Sequence, residues 1–475
     1  MDTKFNPLQS YSEEEYYADI SDLSDDYQRN SSAGGWGSLP DLCLHNVFVF
    51  LEDQDRRSAD LACRHWHHVM RSPSLWRFHI FNFSGRQGKY MQSEYYSAMA
   101  YASSLGSYLE TMEVCVVPPR KSYVAHRLEQ AISGLLSELT RVRAPIRSIS
   151  ITRLDLDRTS WKKSLRNSLV KRVTDFLQRG DARITSVSLN GMRNHLAHGL
   201  DLLSALTNSQ RRSSPRGFIS SLDLRGFFSS SVHVNTNPQV PYILSQLKGL
   251  TDLSLSYSYL SDEVLTALQH RPQGQRRHPS RDGNPLERLA LHCSCYEYHR
   301  QLVSGSSWTN LVSTCPKLKV MLTVNHIVNT NWLARILVPE IPLTEFDMTV
   351  LYPTGSPWSV RPILHNLLPQ YRRSLQRLNI DLSNGNEPLN EELLELVKQC
   401  ECLEDLRVWA FLDISTVERL LHIRLTKRSL LNKIRLGIYS SDEYEEQKAQ
   451  LEQITSSYLQ LHPELDLYVM ICPFV

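Results

Sequence analysis

Six side chains able to bind metals or do acid–base and thiol chemistry crowd one short stretch: Cys43, His45, Cys63, His65, His67 and His68. Their spacing does not assemble a centre. His67 and His68 are neighbours in an apparent helix and point to different sides of it, and His45 is distant in sequence. They read as solvent-facing histidines beside an interface. Cys293-Ser294-Cys295 and Cys400-Glu401-Cys402 are single-gap pairs, whereas structural zinc sites use a wider gap and a second pair. The chain carries no GxSxG elbow, P-loop, GxGxxG turn or HExxH helix. No catalytic residue, metal ligand or cofactor is assigned, and the expectation is a protein that is not an enzyme. The chemistry left is that of binding.

The binding residues fall in two places. Between Trp36 and Arg77 the chain reads as a compact helical module: Leu39-Pro40 opens a helix, where proline is tolerated in the first turn. Leu42, Val47, Phe48 and Leu51 follow at roughly helical spacing. Asp53 to Asp55 break the run and cap a second helix carrying Leu61, Ala62, Trp66 and Val69, and Pro73, Leu75 and Trp76 close the segment. Some forty residues are too few for an independent core, so a partner is implied.

The second place is a repeated strand. L-x-x-L-x-L, with other aliphatics, Phe or Met substituting, starts at Leu109, Ile146, Ile184, Ile219, Leu250, Leu286, near Leu318, and at Leu343, Leu375, Leu403 and Leu431. These eleven starts lie 25 to 38 residues apart, and a last apolar strand follows from Leu465. Short alternating runs signal strands with one buried face, and a recurring period signals a solenoid. Between them, Ser164 to Gln178, Asp262 to Gln269, Glu391 to Gln399 and Val417 to Leu425 show helical apolar spacing. Each strand–helix unit has an apolar side it cannot bury alone, so units stack. The leucines point inward and the residues between them line the opposite, concave face. Arg225, Arg288, Asp347, Arg377, Asp405, Arg407, Trp409 and Arg435 are the substrate-face candidates, with Arg407 and Trp409 foremost because Arg and Trp are typical anchors of protein interfaces.

Composition sets the frame. The chain has 475 residues with 52 basic and 50 acidic side chains, a balance that points to neither nucleic acid nor a membrane surface. Nine scattered cysteines suit reduced thiols in a cytoplasmic or nuclear protein. No stretch is apolar enough to span a membrane. Residues 1–35 hold eight acidic and two basic side chains, a composition expected to be disordered. The stretches 207–217 and 270–284, rich in Arg, Ser, Pro and Gly, read as exposed basic loops inserted in the repeats. The second lacks the interleaved aromatic residues that single-stranded nucleic acid stacks on.

The N-terminal landmarks resemble the F-box family: the Leu39-Pro40 start, Leu51, the acidic turn Asp53 to Asp55, Cys63-Arg64-His65-Trp66 and Leu75-Trp76. The later chain resembles the leucine-rich-repeat family, loosely. The asparagine that follows the strand in tight repeats has one candidate, Asn190, and is otherwise mostly missing. The strings at Phe83 to Arg86, Trp332 to Pro342 and Trp409 to Ser415 are similar to the F-box-only branch. The resemblance implies an α/β fold: a leucine-rich-repeat solenoid of strand–helix units with a curved parallel sheet, preceded by a small all-α F-box. The expected divisions are a tail at 1–35, the F-box at 36–80, a linker or helical cap at 81–108 and the solenoid at 109–475. The resemblance also implies docking onto the SKP-type adaptor of a ubiquitin ligase, and through it a cullin and a RING subunit. Leu39, Pro40, Leu42, Val47, Leu51, Leu61 and Trp66 would be the adaptor-facing and core residues. An unknown protein substrate would lie on the solenoid, and catalysis would be by proximity. A non-degradative scaffold and a plain leucine-rich-repeat interaction module are the alternatives.

Overall fold

The computed structural model describes residues 35–84, 91–179, 183–213, 218–269, 285–297, 299, 301–351, 358–384, 387–426, 430–440, 444–461 and 464–473. The chain divides into two compact units, with the boundary after Phe78.

The first unit is helical: α1 (Asp41–Val49), α2 (Asp53–Asp60), α3 (Arg64–Met70) and a closing 3₁₀ turn, Pro73–Trp76. The expected second helix is two helices. The chain breaks at 61–63, where the Cys63 sulfur accepts the Trp66 N–H (3.5 Å) and caps α3. Leu44, Phe48, Val69, Met70, Leu75 and Trp76 form the small core. Phe48 meets Trp66 edge-on, with ring centroids 5.2 Å apart. Arg56 ties the pieces together. Its guanidinium donates to the Phe48 carbonyl (3.1 Å), the Val49 carbonyl (3.0 Å) and the Leu75 carbonyl (2.5 Å). Two of these carbonyls, Phe48 and Val49, belong to the end of α1, where helix geometry leaves carbonyls short of partners, though Phe48 also accepts the Leu51 N–H (3.1 Å).

The second unit is built on a 13-stranded sheet whose strands follow chain order from β1 to β13. They are β1 (Phe78–Phe83), β2 (Thr111–Val116), β3 (Ser148–Thr152), β4 (Ser186–Ser188), β5 (Ser221–Leu224), β6 (Asp252–Ser256) and β7 (Arg288–Ser294). β8 (Lys319–Asn325), β9 (Leu343–Leu351), β10 (Arg377–Ser383), β11 (Asp405–Ala410), β12 (Lys433–Ser440) and β13 (Asp466–Pro473) complete the order. From β2 onward neighbouring strands pair in parallel.

Alternation decides which face is covered. In β2 and β11 every second residue is buried, and the same holds for the leucine positions throughout. Most of the connecting helices pack against the next in sequence, forming one layer over the leucine face. Packed helices stand about 8–10 Å apart and paired strands about 4.8 Å. One helix per strand therefore bends the sheet toward its helix-free side, which becomes concave.

Three expectations need correction. The sheet begins at β1, inside and ahead of the stretch read as linker, because Phe81 and Phe83 bury as strand residues without an L-x-x-L-x-L pattern. Residues 207–213 continue the helix Leu196–Ser213 instead of forming a loop. Its polar residues find partners on the next repeat: Gln210 donates to the Lys248 carbonyl (2.6 Å) and Arg211 to Gln246 (3.2 Å). Residues 214–217 and 270–284 lie outside the described residues. Finally, the buried loop asparagines are Asn194 and Asn384, not Asn190, whose carbonyl accepts the Arg153 N–H.

Candidate binding surfaces

On the helical unit three of the four histidines are engaged one by one. His45 meets Ser74 (2.5 Å), His65 meets the Gly37 carbonyl (2.8 Å) and Asp41 (2.7 Å), and His67 pairs with Asp60 (2.9 Å). The Gly37 carbonyl and Asp41 raise the His65 pKa, and His65 holds Asp41 low. No group of three metal-ligating side chains occurs among the described residues.

The marked property of this unit is what its core leaves outside. Leu42 is 72% exposed, Leu61 71%, Phe50 87% and Trp36 70%. Val47 and Val49 are exposed too. So much apolar surface facing water on about forty residues is unusual for a finished fold. Of the residues chosen from sequence, Leu42, Val47, Leu61 and Pro40 are exposed, while Leu39, Leu51 and Trp66 are half-buried. Trp66 supports the unit from within, meeting Phe48 edge-on and donating to the Trp36 carbonyl (3.4 Å). The helix break at 61–63 explains the exposure of Leu61, and Phe50 is exposed at the C-terminal cap of α1.

On the sheet, parallel pairing aligns the helix-free residues in rows. In one row Glu345, Arg377, Asp405, Lys433 and Asp466 stand side by side on β9 to β13, so the sign of charge alternates strand by strand. Arg377 pairs with Glu345 (3.0 Å), Lys433 with Asp466 (3.4 Å), and Arg407 grips Asp405 through two nitrogens (3.1 and 2.9 Å). Exposed pairs of this kind contribute about 0–1 kcal/mol each; their effect is to fix where the charges stand. The next row is Asp347, Asn379, Arg407, Arg435 and Tyr468, and the one beyond is Thr349, Asp381, Trp409, Gly437 and Met470. The Trp409 indole lies across Gly437, where an added Cβ would come within 2.2 Å of it. Phe411 and Tyr439 meet nearby at a tilt, with centroids 5.5 Å apart.

The register thus gathers Asp347, Arg377, Asp405, Arg407, Trp409 and Arg435 on four neighbouring strands. It does not bring Arg225 or Arg288 there. They sit on or beside β5 and β7, Arg225 held by Asp223 (2.9 and 2.7 Å) and Arg288 by Asp252. The same face over β3 and β4 is uncharged and small: Ser148, Ser150, Thr152, Ser186 and Ser188. Sequence reading missed Met321 and Thr323, whose repeat is degraded, and Tyr468 and Met470, whose strand lacks the leucine motif.

Between β8 and β11 the face sinks into a depression of about 140 Å³. Met321 gives it an apolar edge, Leu322, Phe346 and Leu378 border it from strand positions whose side chains are buried on the leucine face, and Glu345, Asp347, Arg377, Asn379, Asp405 and Arg407 surround it. One wall carries a register shift in the β8–β9 pairing at Val320/Met321, a bulge of the kind that re-aims side chains.

Residues 36–82 match the family model described as F-box-like. F-box/LRR-repeat protein 21 of Bos taurus is 22% identical over 380 residues, covering 78% of this chain and 75% of that protein. The Mus musculus protein of the same name is 22% identical over 422 residues, covering 84% and 83%. A solved TLR13–ssRNA13 complex aligns at 14% identity and a TM-score of 0.28, covering 77% of this chain and 44% of that one; at that score it adds nothing to the fold reading. The chain is an F-box-like segment followed by a leucine-rich-repeat solenoid, with distant F-box/LRR-repeat relatives.

Proposed function

We propose that the protein is a non-catalytic substrate receptor of a SKP–cullin–F-box ubiquitin ligase. The observation that carries this is the exposed apolar surface of a segment matching the F-box-like family: Leu42, Val47, Leu61 and their neighbours face water and need a partner to cover them. On this reading they seat a SKP-type adaptor, which brings a cullin and RING subunit, with Leu39, Pro40, Leu51 and Trp66 shaping the surface. The solenoid face over β9–β12 holds the target protein. Its mixed charges, with Trp409 and Tyr439 among them, suit protein recognition, where Arg and Trp dominate binding energy. Holding the target beside a charged ubiquitin carrier raises effective concentration without chemistry by this chain. No helix among the described residues is long and apolar enough to cross a membrane, and a cytoplasmic or nuclear setting fits the ligase reading. The F-box-only likeness of the strings near Phe83, Trp332 and Trp409 is a finer proposal.

The test is purification of the full chain from cells, followed by detection of cullin and RING subunits and of ubiquitin on co-captured proteins. Wild type should bring down the ligase and ubiquitinated partners, and Leu42→Asp should lose both. Ligase capture with partner ubiquitination unchanged by Leu42→Asp would instead indicate a scaffold.

A further inference from the structure

The depression between β8 and β11 has a charge pattern that selects its occupant. Five charged side chains line it: Glu345, Asp347, Arg377, Asp405 and Arg407. Four of them form two pairs, Arg377 with Glu345 (3.0 Å) and Arg407 with Asp405 (2.9 Å). Among the described residues Asp347 has no cationic partner within ion-pair distance and accepts only the neutral Asn379 amide, at 2.9 Å. The lining therefore carries three carboxylates against two guanidiniums, and the charge left over is a carboxylate with open acceptor positions. An anion entering here would meet two arginines already engaged and a net negative wall. A bare metal ion lacks ligands, since no group of three metal-ligating side chains occurs among the described residues. The volume of about 140 Å³ is well below the several hundred Å³ of small-molecule sites. It suits one long side chain, whose methylene stem would lie along Met321 while its charged head stays wet.

We propose that this depression seats a lysine or arginine side chain of the target protein, with Asp347 as the counter-charge. The proposal rests on the reading of the solenoid face as the target surface. It makes Asp347 the specificity-determining residue and gives the ion pairs beside it the role of excluding acidic or phosphorylated segments.

The test presents the immobilised full chain with four random-flank peptide libraries, with the central residue fixed as Arg, Lys, Glu or phosphoserine. The Arg and Lys libraries should be retained about tenfold or more over the other two. Asp347→Asn, which keeps the shape, should remove that preference, and Asp347→Lys should transfer it to the Glu library. Equal retention of all four, preference for an anionic library, no retention of any, or a basic preference untouched by Asp347→Asn would each overturn the proposal. SKP-type adaptor capture is measured on the same samples. Capture without a basic preference defeats only this inference, whereas loss of wild-type capture defeats the receptor reading itself.

Discussion

Replacing Arg56 by methionine separates the architecture of the helical unit from its surface. The guanidinium holds three carbonyls, Phe48, Val49 and Leu75, and stands 5.8 Å from the centre of the Trp76 ring. A hydrogen bond to a charged group contributes about 1.5–3 kcal/mol, but the bond to Val49 is exposed and counts for less. Methionine keeps the aliphatic stem on Trp76 and returns the carbonyls to water, so the net loss should be about 3 kcal/mol. A helical unit of some forty residues has only a few kcal/mol in hand. Arg56→Met should therefore unfold a large share of it. Hydrogen exchange should show protection lost at the amides of 44–50, with the strand amides of β5–β11 unchanged. Adaptor capture should fall with it. Arg56→Lys, which keeps the charge but not the planar fork, should be intermediate. Full protection of 44–50 in Arg56→Met would refute the assignment of Arg56 as the clasp of this unit.

Asn384 is buried and bridges two repeats: it donates to the Glu387 carbonyl (2.7 Å) and the Phe411 carbonyl (3.2 Å) and accepts the Phe411 N–H (2.7 Å). Asn384→Ala should cost about 2–4 kcal/mol, read as a lower denaturation midpoint of the solenoid. Gly437→Ala should destabilise by about 1–3 kcal/mol through collision with the Trp409 indole. The cost should largely vanish in a Trp409→Ala background, which a double-mutant cycle measures. Burial lowers the pKa of His292, aided by Arg225, and burial lowers that of His299. The unfolded chain therefore takes up more protons as pH falls below about 6.5, and stability falls with it. Glu297, raised by burial despite hydroxyls from Ser258 and Ser256, acts in the opposite sense above its usual value. Thermal melts of His292→Gln/His299→Asn should fall less between about pH 7.5 and 5.5 than those of wild type.

Periodicity made most of the solenoid legible. The motif starts predict where β2 to β12 begin, and Asp262 to Gln269 is helical over the span its cap residues mark. What escaped is physical in kind. β1 is aromatic-rich, so Phe81 and Phe83 bury without leucine spacing. Residues 207–213 are polar, and their helix is sustained by partners about 35 residues away, such as Gln246 for Arg211, which no local window contains. On the target face, alternation identified which residues point outward. Their grouping depends on register, and the irregular step between β8 and β9 sets which side chains stand beside Asp347. Arg56 and Phe50 were missed because an arginine on a polar helix and a phenylalanine at a helix end carry no periodic signal of their role.

The most direct test is titration of the full chain with a purified SKP-type adaptor, comparing wild type with Leu42→Asp/Leu61→Asp. Both leucines are over two-thirds exposed, so the substitutions leave the fold intact, which unchanged amide protection of α1 and α3 confirms. Saturable binding by wild type, weakened about a hundredfold or more in the double variant, is the expected result. No binding by wild type, or equal binding by the folded variant, would contradict the reading of the exposed apolar surface as the adaptor site.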